Sequence, residues 1–276
     1  MRIQLIGTGL PTPDPRRFGP ASLLEIGGRR LLIDCGEGVA RRLVEAGVLA
    51  NTVDGVLITH LHADHTLGLP AIFTAGWVMG RPEQLELYGP SGSEAMAKGM
   101  LEFLAEDIGI RSRLEFAGNS KGAELAVTEI RDGVVLAGDD WSIEAFSVEH
   151  PPVEPAFGFR VSEAGRVAVF SGDTRPCDAV VEAAAGAEVL IHECMPTIAM
   201  EMARKVGLRQ GDAGSGIAAY HTSEEDVGKI AARAGVKRLV LNHLPPIGDP
   251  EAIKARIAED FDGAIHVGSD LDIVLS

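Results

Sequence analysis

The sequence predicts an α/β protein: one domain over residues 1–276 made of two similar βα halves, about 1–160 and 161–276, whose sheets pack face to face with helices outside. Three observations predict it. Each half opens with short apolar runs of strand length and then alternates them with segments of helical period. Several of those runs end in a histidine or an aspartate, the place where α/β sheets present ligands. No low-complexity stretch or linker interrupts the pattern, since "PTPDPRRFGP" and "HPPVEP" are short enough to be loops.

"RIQLIGTG" reads as a strand entering a Gly turn, and "ASLLEIGGRRLLIDCGEG" as a hairpin about Gly27-Gly28 that ends in an acidic, Gly-rich loop. "VARRLVEAGV" has helical spacing, and "VDGVLITH" is a buried strand delivering His60. "LPAIFTAGWVM" is a helix in which Phe73, Trp77 and Met79 are read first as core-facing, with a pocket wall or a dimer contact as the alternative. "QLELYGP" follows as a strand and "GSEAMAKGMLEFLAEDIG" as an amphipathic helix; residues 111–148, including "LEFAG", "AVTEI", "GVVLAG" and "WSIEAFSVEH", look β-rich. In the second half, strands "GRVAVFSGDT", "EVLIHE", "VKRLVLNH" and "DIVLS" alternate with helices "DAVVEAAAGA", "EEDVGKIAARAG" and "PEAIKARIAEDF".

Composition narrows the function classes. With 46% hydrophobic residues and 33 glycines the chain is an ordinary folded α/β protein. No apolar run reaches the ~20 residues that span a bilayer, and "MRIQLIGTGLPTPDP" has no signal-peptide pattern, which predicts a cytoplasmic protein. Cys35, Cys177 and Cys194 lack CxxC spacing and read as buried free thiols. The formal net charge of −15 argues against a broad nucleic-acid surface, because phosphate binding is usually driven by a basic patch.

Of eight histidines, three fall within "ITHLHADHTLGLP", together with Asp64. Side chains two apart in a strand point the same way, so His60 and His62 converge on one point, while Asp64 and His65 reach a second from beyond the turn. Imidazole and carboxylate without thiolate suit zinc or non-haem iron with positions left for water. "FSVEH" delivers His150, "VAVFSGD" Asp173 and "RLVLNH" His243, a repetition that a single buried histidine would not produce.

"THLHADH" with "GDT" and the later "NH" resembles the metallo-β-lactamase superfamily from end to end, and so implies its four-layer αββα sandwich. In order, "LLIDCGEG", "HLHADHTLGLP", "LYGPSG", "HPPVEPAFGFRV", "FSGDT", "LIHE", "YHTSEEDVGKIA" and "LVLNHL" are similar to its ribonuclease Z and arylsulfatase-like branch. The resemblance implies a binuclear site, two Zn²⁺ with Mn²⁺ or Fe as the other ions. His60, His62 and His150 would bind one metal, Asp64, His65 and His243 the other, and Asp173 both, with a bridging hydroxide as nucleophile. Asp64, His221 and Glu193 are the expected catalytic residues: His221 as general acid or phosphate contact, Glu193 as its partner. The plainer reading of His221 is a histidine ahead of a helix that "TSEED" caps. Asp34 would orient a ligand histidine. His192 reads equally as core, His266 as a strand residue without a role, and the branch implies a homodimer.

Within the branch, tRNA-cutting enzymes carry a basic arm between the positions of His150 and Asp173, where this chain has room only for a hairpin. Ala63 replaces the Gly of HxHGDH, Val39 and Ala40 follow "GEG", and His243 stands in "NHLPP". These departures and the acidity lead to the expectation of a small-molecule substrate, a phosphodiester, sulfate ester or related ester, with no broad nucleic-acid surface and no membrane. A ribonuclease Z-type tRNA endonuclease is the alternative, followed by lactone or β-lactam hydrolysis and a di-iron redox or ligand-binding protein.

Overall fold

Gly27 and Gly28, both at positive φ (55° and 75°), close the predicted hairpin as a two-residue turn, pairing Ile26 with Arg29. The computed structural model describes residues 1–115, 121–205 and 219–276. It divides into two compact units, one of Met1–Gly7, Phe18–Ile130 and Asp270–Ser276, the other of Thr8–Arg17 and Arg131–Ser269.

The first unit holds strands β1 (Arg2–Gly7), β2 (Ala21–Ile26), β3 (Arg29–Ile33), β4 (Gly55–Leu57), β5 (Leu85–Gly89), β6 (Leu125–Glu129) and β14 (Ile273–Leu275), in the order β14-β1-β2-β3-β4-β5-β6. Pairing is antiparallel from β14 to β3 and parallel from β3 to β6. Parallel neighbours need crossovers, and helices α1 (Val39–Glu45), α3 (Leu69–Val78) and α4 (Ser93–Leu114) supply them. Leu43 of α1, Ile72 and Phe73 of α3, and Ala97 and Met100 of α4 share one core with Leu23, Leu32, Val56 and Leu87. Phe73 and Trp77 are fully buried as the core reading expected, whereas Met79 is exposed. The buried Arg81 anchors this helix layer: its guanidinium donates to the carbonyls of Phe73 (3.2 Å) and Gly122 (3.0 Å), and burial lowers its pKa to about 10.

The second unit repeats the plan. Strands β7 (Gly133–Ala137), β8 (Trp141–Ser147), β9 (Phe157–Glu163), β10 (Arg166–Phe170), β11 (Val189–Glu193), β12 (Arg238–Asn242) and β13 (Ala264–Val267) run in the order β13-β12-β11-β10-β9-β8-β7. They are antiparallel from β7 to β10 and parallel from β10 to β13. Helices α5 (Asp178–Ala183), α7 (Glu224–Ala234) and α8 (Pro250–Ile257) bury Val180, Val227, Ile230, Ile253 and Ile257 against Val169, Leu190, Leu239 and Leu241. Ser223 caps α7 by accepting the Asp226 N–H, three acidic residues follow, and Gly235 closes it at φ 65°, as "TSEEDV…AG" foretells.

Three expectations change. The units exchange chain at Ile130/Arg131 and not near residue 160, because β7, β8 and β9 pair onward to β10 and so belong to the second sheet. The C-terminal "DIVLS" returns to the first unit, where β14 pairs with β1. In "LEFAG", Leu114 is the last residue of α4 and residues 116–118 lie outside those described. A further helix, α6 (Thr197–Lys205), escaped the sequence reading. No helix among the described residues is long and apolar enough to cross a membrane.

Candidate metal centre

In the first unit the donors follow the end of β4. That strand stops at Leu57, so His60 and His62 stand in the loop after it and not on the strand, which corrects the alternation argument. They converge nonetheless: His60 Nε2 and His62 Nδ1 lie 2.9 Å apart. Asp64 and His65 sit on α2 (Ala63–Thr66), a single turn, with His65 Nε2 3.6 Å from Asp64 Oδ2. His60, Asp64 and His65 are buried; His62 is half-buried.

Asp34 organises this group. It follows β3 directly, in the left-handed region (φ 60°), a conformation that Asp tolerates better than most residues. Its carboxylate accepts the Thr59 N–H (2.9 Å), the Thr59 hydroxyl (3.0 Å) and His65 Nδ1 (2.9 Å). Holding the Nδ1 proton fixes the His65 tautomer and turns Nε2 towards Asp64, as a ligating histidine requires. Thr59 also meets His60 Nδ1 at 3.0 Å. The turn after Asp34 is laced to α2, with Cys35 N–H donating to the His65 carbonyl (2.8 Å) and Gly68 N–H to the Cys35 carbonyl (2.8 Å). Gly36 has to be glycine, since a Cβ there would lie 2.3 Å from the Gly19 carbonyl carbon and 2.6 Å from the Asp64 oxygen.

In the second unit each donor follows a strand: His150 after β8, Asp173 after β10, His243 after β12. His150 Nδ1 donates to the Tyr220 carbonyl (3.0 Å), which leaves its Nε2 as the ligating nitrogen. His243 Nε2 lies 3.4 Å from Asp173 Oδ2. His221 Nδ1 donates to Glu193 Oε1 (3.0 Å), and the same oxygen accepts the N–H groups of Thr222 (3.0 Å) and Thr174 (3.2 Å). Asp173, His221 and His243 each present a ligand atom within 4.8 Å of the others, so His221 stands among the donors as well as beside Glu193. Its ring stacks on His243 at 5.8 Å.

The donor chemistry fits metal ions. Within each unit, imidazole nitrogens and carboxylate oxygens crowd to separations normal for ligands of one ion, and their other ring nitrogens are held by Asp34, Tyr220 and Glu193. Thiolate has no part: Cys35, Cys177 and Cys194 are free and buried. His192 belongs to the core, with Nδ1 2.7 Å from the Glu193 carbonyl and burial lowering its pKa; His266 is a half-buried residue of β13. Sequence reasoning missed Thr59 and Tyr220. Thr59 could have been found as the hydroxyl preceding the first ligand; Tyr220 acts through its carbonyl, which side-chain identity does not report.

A model described as "Beta-lactamase superfamily domain" matches residues 29–244. Ribonuclease Z of Mycobacterium sp. (strain KMS) is 37% identical over 276 residues, covering 98% of this chain and 94% of the relative. Ribonuclease Z of Mycobacterium marinum (strain ATCC BAA-535 / M) is 36% identical over 277 residues, covering 98% and 97%. Among solved structures, the metallo-beta-lactamase fold protein YhfI from Bacillus subtilis superposes with a TM-score of 0.75 at 22% identity, covering 100% of this chain and 99% of that one. Human tRNase Z, short form, superposes with a TM-score of 0.70 at 24% identity, covering 99% and 98%.

These relatives overturn the expectation of a small-molecule ester substrate, with its arylsulfatase-like and phosphodiesterase-like reading, and the expectation against a nucleic-acid surface. The absent arm does not discriminate. Alignments of 276 and 277 residues that cover 98% of this chain leave no room for a long insertion in these relatives either. Net charge does not discriminate either: −15 is a sum over the whole chain and does not exclude phosphate binding at one local point. With the family model spanning most of its length, the chain belongs to the β-lactamase superfamily and has the metallo-β-lactamase fold.

Proposed function

We propose that this chain is a metal-dependent endoribonuclease of the ribonuclease Z type, which removes the 3′ extension of a precursor tRNA. The observation that carries the proposal is the 36–37% identity, running over 98% of the chain, to proteins named Ribonuclease Z. The donor groups of the two units supply the chemistry it needs.

The ligand assignment follows the family motif order: His60, His62 and His150 for one ion, Asp64, His65 and His243 for a second, and Asp173 for both. Zinc is the ion best matched to these nitrogen and oxygen donors, with manganese or iron as substitutes. Bound there, such ions polarise a phosphoryl oxygen and make water nucleophilic near neutral pH. The chain's own residues orient and protonate. Asp34 keeps His65 in the ligating tautomer, and the Tyr220 carbonyl does the same for His150. Glu193 holds Nδ1 of His221, so that Nε2 serves the scissile phosphate or hands a proton to the departing oxygen. Asp64, on α2 with its carboxylate 3.6 Å from His65 Nε2, would hold the second ion together with that histidine.

The test is incubation of metal-quantified protein with a precursor tRNA carrying a 3′ trailer. A single cut at the 3′ end, abolished by chelation and restored by zinc, is the expected result; an intact precursor with fully loaded protein would overturn the proposal.

A further inference from the structure

Thr174 follows the donor Asp173, is fully buried, and gives each of its polar groups to a different segment of the second unit. Its N–H donates to Glu193 Oε1 (3.2 Å), the oxygen that also accepts His221 Nδ1 (3.0 Å). Its carbonyl accepts the hydroxyl of the buried Thr222 (2.7 Å), one residue after His221. Its hydroxyl accepts the N–H of Glu149 (3.1 Å), one residue before His150, and its nearest acceptor is the Arg175 carbonyl (2.7 Å). The Arg175 N–H strengthens that link by donating to the Glu149 carbonyl (2.9 Å).

His150, Asp173 and His221 all stand on loops, which the strand ladders of the sheet do not hold. A reacting constellation needs its groups fixed to within about 0.5 Å, so something other than the ladders has to set these loops against one another. Thr174 is where they meet. We propose that Thr174 is the positioning residue for this unit: its hydroxyl sets His150 beside Asp173, and its carbonyl and N–H set His221 and Glu193 against the same point. The two arms use different atoms and are separable. Valine at 174 keeps the shape and loses only the hydroxyl link to Glu149, whereas valine at 222 loses only the bond to the Thr174 carbonyl. The His221 arm rests on the ribonuclease reading above; the His150 arm rests on metal binding alone.

The experiment compares the full chain with Thr174→Val, Thr174→Ser, Thr222→Val and Thr222→Ser. It reads zinc affinity against a chromogenic chelator, the denaturant midpoint, and kcat and KM for a precursor tRNA. Thr174→Val should bind zinc about 10-fold more weakly, the lower end of the loss when a group behind a ligand is removed, and Thr174→Ser should recover the affinity. Thr222→Val should hold zinc as wild type does and lose up to about 100-fold in kcat with little change in KM, as a misplaced catalytic group does, and Thr222→Ser should recover the rate. Lower denaturant midpoints with zinc affinity and kcat unchanged would make both threonines merely structural and overturn the proposal. Zinc loss in Thr222→Val equal to that in Thr174→Val would overturn the separation of the arms. Should a valine variant fail to fold, Thr174→Ala and Thr222→Ala take its place, with the same outcomes read. A zinc-loaded wild type that leaves the RNA intact would remove the ribonuclease reading and the His221 arm, while zinc affinity would still decide the His150 arm.

Discussion

Asp34 and His65 are joined by a 2.9 Å hydrogen bond although 31 positions separate them, and the same carboxylate holds both Thr59 donors. One side chain thus ties the end of β3 to the chain after β4 and to the donor turn α2. Replacing it with alanine removes the acceptor that fixes the His65 tautomer. The expected outcome for Asp34→Ala is a 10- to 100-fold loss of metal affinity, on the order seen when an outer-shell partner is removed. Competition with a chromogenic chelator measures it, and unchanged affinity would remove Asp34 from the metal site.

Asp64 and His65 lie on one helical turn with donor atoms 3.6 Å apart, so either loss leaves an incomplete ligand set. Asp64→Ala and His65→Ala should each retain the fold by circular dichroism, lose about one metal ion per chain by elemental analysis, and lose turnover of precursor tRNA. Full activity in either variant would contradict the binuclear arrangement.

The pairing of His221 with Glu193 separates two roles for that histidine, since His221 also lies within ligand reach of Asp173 and His243. As an acid or phosphate contact, its loss lowers the rate and leaves metal content intact. As a ligand, its loss releases metal. The expected result for His221→Ala is a fall in kcat of about 10²- to 10⁴-fold, the span of general acid–base catalysis, with two ions retained. Parallel metal analysis decides the matter.

How much of this was legible in the sequence follows from what kind of signal each feature leaves. The positions of His150, Asp173 and His243 were readable, because a strand followed by His or Asp is a local pattern and each of them follows a strand where expected. Elements with clean punctuation were readable too, such as α7 with Ser223 before it and Gly235 after it. The division between the sheets was not, because β7, β8 and β9 join the second sheet through long-range pairing that no local period encodes. The acidity could not decide the substrate class, because net charge is a sum over the whole chain and carries no information about any one site.

The three thiols offer a check on burial. Cys35, Cys177 and Cys194 are buried, and removal from water pushes the Cys35 and Cys194 thiols far above their ordinary range, with the charges of Asp34 and Glu193 adding to the effect. A raised pKa leaves almost no thiolate at pH 8, and the thiolate is the reactive form. Native protein should therefore react negligibly at Cys35 and Cys194 with an aromatic disulfide reagent at pH 8. Both should react promptly once unfolded in guanidinium chloride, as peptide mapping of the labelled sites will show.

Arg81 provides the stability prediction. Its side chain is buried, its guanidinium lies 5.7 Å from the Phe73 ring centre, and it donates to the carbonyls of Phe73 and Gly122. Burial lowers its pKa to about 10, which still leaves it charged at neutral pH. A methionine of similar length fills the volume but leaves buried carbonyl oxygens without their charged donor, at a cost of about 1–3 kcal/mol for each group stranded. Arg81→Met should therefore lower the denaturant midpoint of unfolding with little change in slope. Because α3 begins only four residues after His65, loosening that helix should also weaken metal retention before global unfolding. Chelator competition at sub-denaturing urea tests this coupling. Metal release that tracks global unfolding in both proteins would show that Arg81 serves the core alone.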